Sequence, residues 1–150
     1  MVGGGSCYLG LKLYGNISLH KVEGPSMRPT LNPSDSFFRD IVLVKKIENP
    51  ADVQFIPVSS IICLKHPKQD RGYLIKRLIA NQNEEIRKDV ELLTNSKCMN
   101  NKVPGGHCWV ESDAGPGYLD SSSYLGPIPY NNVVGHALFN VWPLHRIKRL

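Results

Sequence analysis

Apolar residues in this chain come in short alternating or unbroken blocks, separated by glycine, proline and asparagine, and few stretches hold a 3.6-residue period. Asp40-Ile41-Val42-Leu43-Val44-Lys45-Lys46 predicts a strand with a polar end, and Val58-Ser59-Ser60-Ile61-Ile62-Cys63-Leu64 predicts a second, buried one. Tyr73-Leu74-Ile75-Lys76-Arg77-Leu78-Ile79-Ala80 predicts a third strand, and Val133 to Pro143 predicts the last. Between them, residues 80–101 are polar and read as a loop followed by an exposed hairpin, with Glu84 and Glu85 in solvent. Eleven prolines and thirteen glycines suit strands and turns, and 150 residues suffice for one domain with a core.

Residues 1–21 contain an apolar run, Cys7 to Gly15, that is interrupted by Lys12 and by glycines. The run is shorter than the ~20 residues needed to cross a bilayer as a helix, and the basic start of a cleaved secretory signal is missing. A crossing helix is therefore not expected here, and any membrane attachment would be peripheral or through a partner.

The stretch Val22-Glu23-Gly24-Pro25-Ser26-Met27-Arg28-Pro29-Thr30-Leu31-Asn32-Pro33 has a different character. Prolines at positions 25, 29 and 33 fix φ and remove backbone donors, so the run is extended or turning rather than the interior of a helix. Alternation would put Met27, Pro29 and Leu31 on one side and Ser26, Arg28 and Thr30 on the other. Two readings fit: a proline-rich surface turn with an incidental serine, or a nucleophile held near its attack geometry on a stiff backbone. In the second, Gly24 lets a substrate backbone approach and the Ser26 N–H serves as an oxyanion donor.

Lys76 has Leu74 and Leu78 on its own face of the predicted strand. Desolvation there would lower its pKa from ~10.4, and a value of ~7–8 costs roughly 3–4 kcal/mol. The alternative is a lysine that snorkels out of an edge strand. Arg77 has the same periodic surroundings between Ile75 and Ile79, but a guanidinium does not give up its proton, so only Lys76 can act as a base.

Charge and cysteines narrow the choice further. The net charge of +5 is modest, and basic residues are not interleaved with aromatics as in a nucleic-acid surface. The densest basic cluster, His145-Arg146-Ile147-Lys148-Arg149, reads as a solvated end, with attraction to anionic lipid as the functional alternative. Cys7, Cys63, Cys98 and Cys108 have no zinc-like spacing and read as buried or free thiols, with a Cys98–Cys108 bridge as a minor alternative. No metal or cofactor is called for. His107 beside Trp109 reads as a packed, hydrogen-bonded residue rather than a base.

The run Gly24 to Pro33 resembles the nucleophile box of the type I signal peptidases, which are Ser/Lys proteases. The Asn32-Pro33 tail resembles more narrowly the subunit 2 group of the mitochondrial inner membrane proteases. Ile75-Lys76-Arg77-Leu78-Ile79 resembles the family box that carries the general-base lysine. Val103 to Asp113 is similar to the segment in which a Pro-Gly turn feeds a strand ending in Gly-Asp, with Ser112 in place of that glycine. Asp120-Ser121 resembles the family's Asp-Ser box, and Gly126-Pro127-Ile128-Pro129 follows it. Departures are Val58-Ser59-Ser60 where the family has Arg-Gly-Asp, and Tyr118 where it has a serine that hydrogen-bonds the base.

The resemblance implies a mostly β catalytic domain of two antiparallel sheets over residues 22–150, behind a degenerate anchor or targeting segment, 1–21. It implies Ser26 as nucleophile and backbone oxyanion donor, Lys76 as base, and Asp120 and Ser121 as supporting residues. Tyr118 is expected to be a packing residue, with Ser121 or Ser123 better placed to aim the lysine. The implied activity is removal of sorting presequences from precursor proteins delivered to the mitochondrial intermembrane space, at the inner membrane, together with a second protease subunit. The rival readings are a bacterial-type or plastid signal peptidase, and an inactive subunit that stabilises a catalytic partner.

Overall fold

The structure is a computed structural model and describes residues 6–7, 11–12, 15–34, 37–67, 69–70, 72–86 and 101–150. It is mostly β, as expected. The strands are β1 (Ser6–Cys7), β2 (Leu11–Lys12), β3 (Ile17–Lys21), β4 (Ile41–Lys46), β5 (Ile61–Lys65), β6 (Tyr73–Ala80), β7 (His107–Glu111), β8 (Ile128–Pro129), β9 (Val133–Trp142) and β10 (Lys148–Arg149). Every pairing is antiparallel, and the main path runs β2-β3-β4-β9-β5-β6-β7-β8, with β1 beside β6 and β10 beside β9. The long β9 thus joins the early hairpin β3–β4 to the later hairpin β5–β6. Gly135 makes this close passage possible, because a Cβ there would sit 2.5 Å from Val44 Cγ1 and 2.6 Å from the Lys45 carbonyl oxygen.

The period-2 pattern of β5 and β6 divides the apolar residues between two cores. Ile62, Leu64, Leu74 and Leu78 join Cys108, Val110 and Tyr130 on one face. Ile61, Cys63 and Ile75 join Met27, Leu31, Val42, Val44 and Ala137 on the other. β5 buries both faces, which is why Ile61 to Leu64 reads as an unbroken apolar run. β6 spans the predicted residues, while β5 starts later than predicted. Val58-Ser59-Ser60 form the turn before it, with Ser59 at φ 76° and its N–H donated to the Leu78 carbonyl at 2.8 Å.

The proline-rich run is a pair of tight turns. The Arg28 N–H bonds the Pro25 carbonyl at 3.0 Å and the Leu31 N–H bonds the Met27 carbonyl at 2.8 Å. Met27 and Leu31 are therefore buried together, Pro29 is exposed and Ser26 is buried, so the simple alternation does not hold. Asn32, at φ 48°, closes the loop. Its Nδ2 donates to the Val22 and Gly24 carbonyls at 2.8 and 3.3 Å, and its Oδ1 accepts from the Asp40 N–H at 2.8 Å. In return the Asn32 N–H donates to Asp40 Oδ2 at 2.6 Å, and Arg146 Nε donates to Asp40 Oδ1 at 2.9 Å.

The basic tail is exposed at His145, Ile147, Lys148 and Arg149, as a solvated end would be, but it is also tied to the sheet. Arg146 neutralises the buried Asp40, Lys148–Arg149 pair with β9, and Lys148 Nζ donates to the Thr30 carbonyl at 2.7 Å. Glu84 and Glu85 are exposed, as expected. Cys63 and Cys108 are buried; the alternative of a Cys98–Cys108 bridge falls on Cys98, which lies outside the described residues. Of the segment 1–21, only residues 6–7, 11–12 and 15–21 are described, and Ile17–Lys21 pair with β4 as part of the sheet. Among the described residues no helix is long and apolar enough to cross a membrane.

Asp40→Ala should destabilise the fold by about 3 kcal/mol or more, because it leaves the Arg146 guanidinium and the Asn32 N–H without their buried acceptor. Urea unfolding of the variant against the parent chain checks this, and a difference under ~1 kcal/mol contradicts it.

Candidate active site

β6 presents Leu74, Lys76 and Leu78 to one core, and all three are fully buried, Lys76 at 1% exposure. The stem does not snorkel to solvent. Burial lowers the Lys76 pKa to about 8, against the opposing pull of the Asp120 and Asp113 charges. A large share of the amine is thus neutral at slightly alkaline pH, as a general base requires. The amine meets one hydroxyl directly: Lys76 Nζ donates to Ser112 Oγ at 3.0 Å.

The tripeptide Ser112-Asp113-Ala114, just past the end of β7, gathers the rest of the site. The Ala114 N–H donates to the Ser26 carbonyl at 3.0 Å, so the serine loop and the lysine strand hold opposite ends of one short segment. Asp113 between them pairs with Arg77 in bidentate fashion, Nε to Oδ1 at 2.7 Å and Nη2 to Oδ2. Arg77 also reaches Thr30 Oγ1 at 3.3 Å and the Ser59 carbonyl at 2.6 Å, tying the serine loop and the turn before β5 to β6. Burial works to raise the Asp113 pKa, but hydrogen bonds from Arg77 and Thr30 and the charges of Arg77 and Lys76 hold it below its ordinary value. The adjacent residues Lys76 and Arg77 therefore divide the work across the two faces of one strand, one as a buried amine and one as a clamp.

Asp120 and Ser121 lie behind this segment. Asp120 is buried and accepts the Ser112 N–H at 3.0 Å on Oδ2, while Oδ1 takes the Ser122 N–H at 3.1 Å, the Ser122 hydroxyl at 2.7 Å and the Ser123 N–H at 3.2 Å. It caps the tight turn Ser121–Leu125 and fixes Ser112 from behind. Ser121 is fully buried, and its Oγ accepts the Val110 N–H at 3.0 Å, so its hydroxyl braces β7. The hydroxyl at the lysine is that of Ser112, which in sequence stands only as the replacement of a glycine in the resembled segment. Its signal was a serine directly before the Asp113 that pairs with Arg77.

Two other candidates fall away. His107 is tied by Nδ1 to the Gly105 carbonyl at 2.8 Å, on the surface turn before β7. Burial pushes the Cys108 thiol up to about 12, so it supplies no thiolate for a cysteine mechanism.

The chain is similar in sequence to known proteases. The chain is 37% identical over 132 residues to mitochondrial inner membrane protease subunit 2 of Mus musculus, covering 87% of this chain and 70% of that protein. It is 33% identical over 133 residues to subunit 2 of Saccharomyces cerevisiae, covering 87% and 71% of the two chains. Subunit 1 of Homo sapiens is 33% identical over 126 residues, with 81% and 68% covered. No family model matches the chain. A mostly β fold with these relatives defines a protein of the type I signal peptidase-like class. Within that class, the chain belongs to the mitochondrial inner membrane protease family.

An amine with a pKa of about 8 when folded and 10.5 as its ordinary value makes folding less favourable below pH 8. The unfolded chain holds the extra proton between those values, so stability rises with pH across that window and the penalty is gone above it. The penalty at neutral pH is about 3 kcal/mol. Lys76→Met, which keeps the buried stem without the charge, should therefore be more stable than the parent at pH 7 by up to about 3 kcal/mol. That gain should fade toward pH ~10.5, where the parent amine is neutral in both states. Urea titrations of both proteins across this range check it, and a pH-independent difference contradicts it.

Proposed function

We propose that this chain is a serine endopeptidase in which Ser26 is the nucleophile and Lys76 the general base. The observation that carries this reading is the buried Lys76 amine, flanked on its strand by Leu74 and Leu78 and bonded to Ser112, two residues before the Ala114 N–H that holds the Ser26 carbonyl. Neutral Lys76 takes the Ser26 hydroxyl proton while Ser26 Oγ attacks the scissile carbonyl carbon. The oxyanion that forms accepts a hydrogen bond from the Ser26 N–H. As the carbon–nitrogen bond breaks, the Lys76 ammonium returns its proton to the leaving amine, giving an acyl ester on Ser26. Lys76 then takes a proton from water, which attacks the ester, and the acid product leaves with Ser26 restored.

The substrates in this reading are precursor proteins carrying sorting presequences, cut at the mitochondrial inner membrane on the intermembrane-space side. Support comes from relatives whose names include both subunit 1 and subunit 2 of the mitochondrial inner membrane protease, which also favours a hetero-oligomer with a second protease subunit. Residues 22–150 carry the chemistry, and residues 1–21 contribute attachment, with Ile17–Lys21 also serving as a strand of the sheet.

Ser26→Ala and Lys76→Met should each abolish cleavage of a presequence peptide while keeping the circular dichroism of the parent. Turnover in the parent should rise with pH along a limb centred near the Lys76 value of about 8. Substantial activity in either variant, or a flat profile from pH ~6 to ~9, sinks the dyad.

Attachment is tested separately by alkaline carbonate extraction of membranes from cells expressing the chain alone. A peripheral protein is released to the supernatant, and retention in the pellet contradicts peripheral attachment.

A further inference from the structure

We propose that Ser112 is the positioning residue for Lys76, its hydroxyl fixing the direction in which the amine offers its lone pair to Ser26. This rests on the Ser26/Lys76 reading above. The primary observation is geometric: Ser112 is buried, and its Oγ accepts from Lys76 Nζ at 3.0 Å. A lysine stem packed by Leu74 and Leu78 sets where the nitrogen lies but not how it rotates about its last carbon–nitrogen bond. One fixed acceptor removes that freedom. With one N–H held by Ser112, the lone pair of the neutral amine is confined to the remaining directions.

A hydroxyl can perform this task only if it does not move, and Ser112 is held from both sides. Its own N–H is bound by Asp120 Oδ2 at 3.0 Å. The next residue, Asp113, is locked in its bidentate pair with Arg77, and the residue after that donates its N–H to the Ser26 carbonyl at 3.0 Å. The acceptor that orients the base is therefore two residues from the contact that fixes the nucleophile's backbone. Ser121 has its Oγ occupied by the Val110 N–H, and Asp120 has both carboxylate oxygens committed to backbone and hydroxyl donors. Ser112 also serves both protonation states, because its oxygen accepts from the amine before proton transfer and from the ammonium after it.

The last point gives the inference a signature that a purely structural residue lacks. An acceptor oxygen stabilises the ammonium more than the neutral amine, so removing it should lower the Lys76 pKa below its present value of about 8. Ser112→Ala keeps the backbone N–H bound by Asp120. It should therefore fold normally, move the ascending limb of the pH–kcat profile to lower pH, and yet lower the plateau kcat about ten- to a hundredfold, with KM changed less than about twofold. More of the base is then in its active form while turnover falls, because the base is aimed less well. Ser112→Thr, which keeps the hydroxyl, should recover most of the plateau, and Tyr118→Phe should leave the profile unchanged.

The assay uses the full chain with its partner subunit and an internally quenched presequence peptide, with thermal melting of each variant alongside. Inactive Ser26→Ala and Lys76→Met variants with a parent-like Ser112→Ala enzyme overturn this inference alone, whereas active dyad variants overturn the reading beneath it. Equal plateau losses in Ser112→Ala and Ser112→Thr with an unmoved limb also overturn it. Should Ser112→Ala melt early, its limb position measured on the folded fraction still decides, because loss of folded protein lowers the plateau without moving the limb.

Discussion

Burial of a single amine is the constraint that the rest of the site answers to. A charged lysine among Leu74, Leu78 and a closed core is unfavourable, and the sheet nonetheless keeps Lys76 at 1% exposure. The protein meets this in two ways. It lets the amine shed its proton near pH 8, and it places the carboxylates of Asp113 and Asp120 where their charge limits the shift. Neither carboxylate accepts directly from the amine, which would fix the proton in place; each is occupied by other donors. A neutral hydroxyl, Ser112, takes the direct contact instead.

Bringing the strand that carries such an amine to the same short segment as the distant serine loop demands braces on both, and these are polar. On the loop side, Asn32 ties its two ends together and joins them to Asp40 and Arg146. On the strand side, Arg77 gathers Asp113, Thr30 and the Ser59 carbonyl. Both networks end in buried or half-buried ion pairs, whose worth lies in geometry more than in net stability. Ser26 is held through its backbone carbonyl, by the Ala114 N–H, rather than through its hydroxyl.

The parts of this arrangement that follow local patterns were legible in the sequence. Period-2 alternation located β6 and assigned Lys76 to an apolar face, and the inability of a guanidinium to lose a proton separated Lys76 from Arg77. The long-range parts were not legible. Alternation failed in Gly24–Pro33 because hydrogen bonds such as Leu31 to Met27 wind it into turns. The tail's exposure was legible but the anchoring of Arg146 was not, because its partner, Asp40, is 106 residues away in the chain. Ser112 is not legible as the lysine's partner because its position in the resembled segment is a glycine, whereas Tyr118, Ser121 and Ser123 lie close to Asp120 in sequence. Which hydroxyl meets a lysine 36 residues distant is decided by the antiparallel register of β6 and β7, with Arg77 opposite Glu111, and a linear pattern does not state that register.

The central claim is that the Lys76 amine is largely deprotonated at mildly alkaline pH inside the folded protein. It is tested most directly by carbon-13 NMR of protein labelled at the lysine ε-carbon, with the Lys76 signal assigned by its loss in Lys76→Met. One lysine signal should titrate with a midpoint near 8, well separated from the rest. A Lys76 signal titrating with the others near its ordinary value of 10.5 would contradict it.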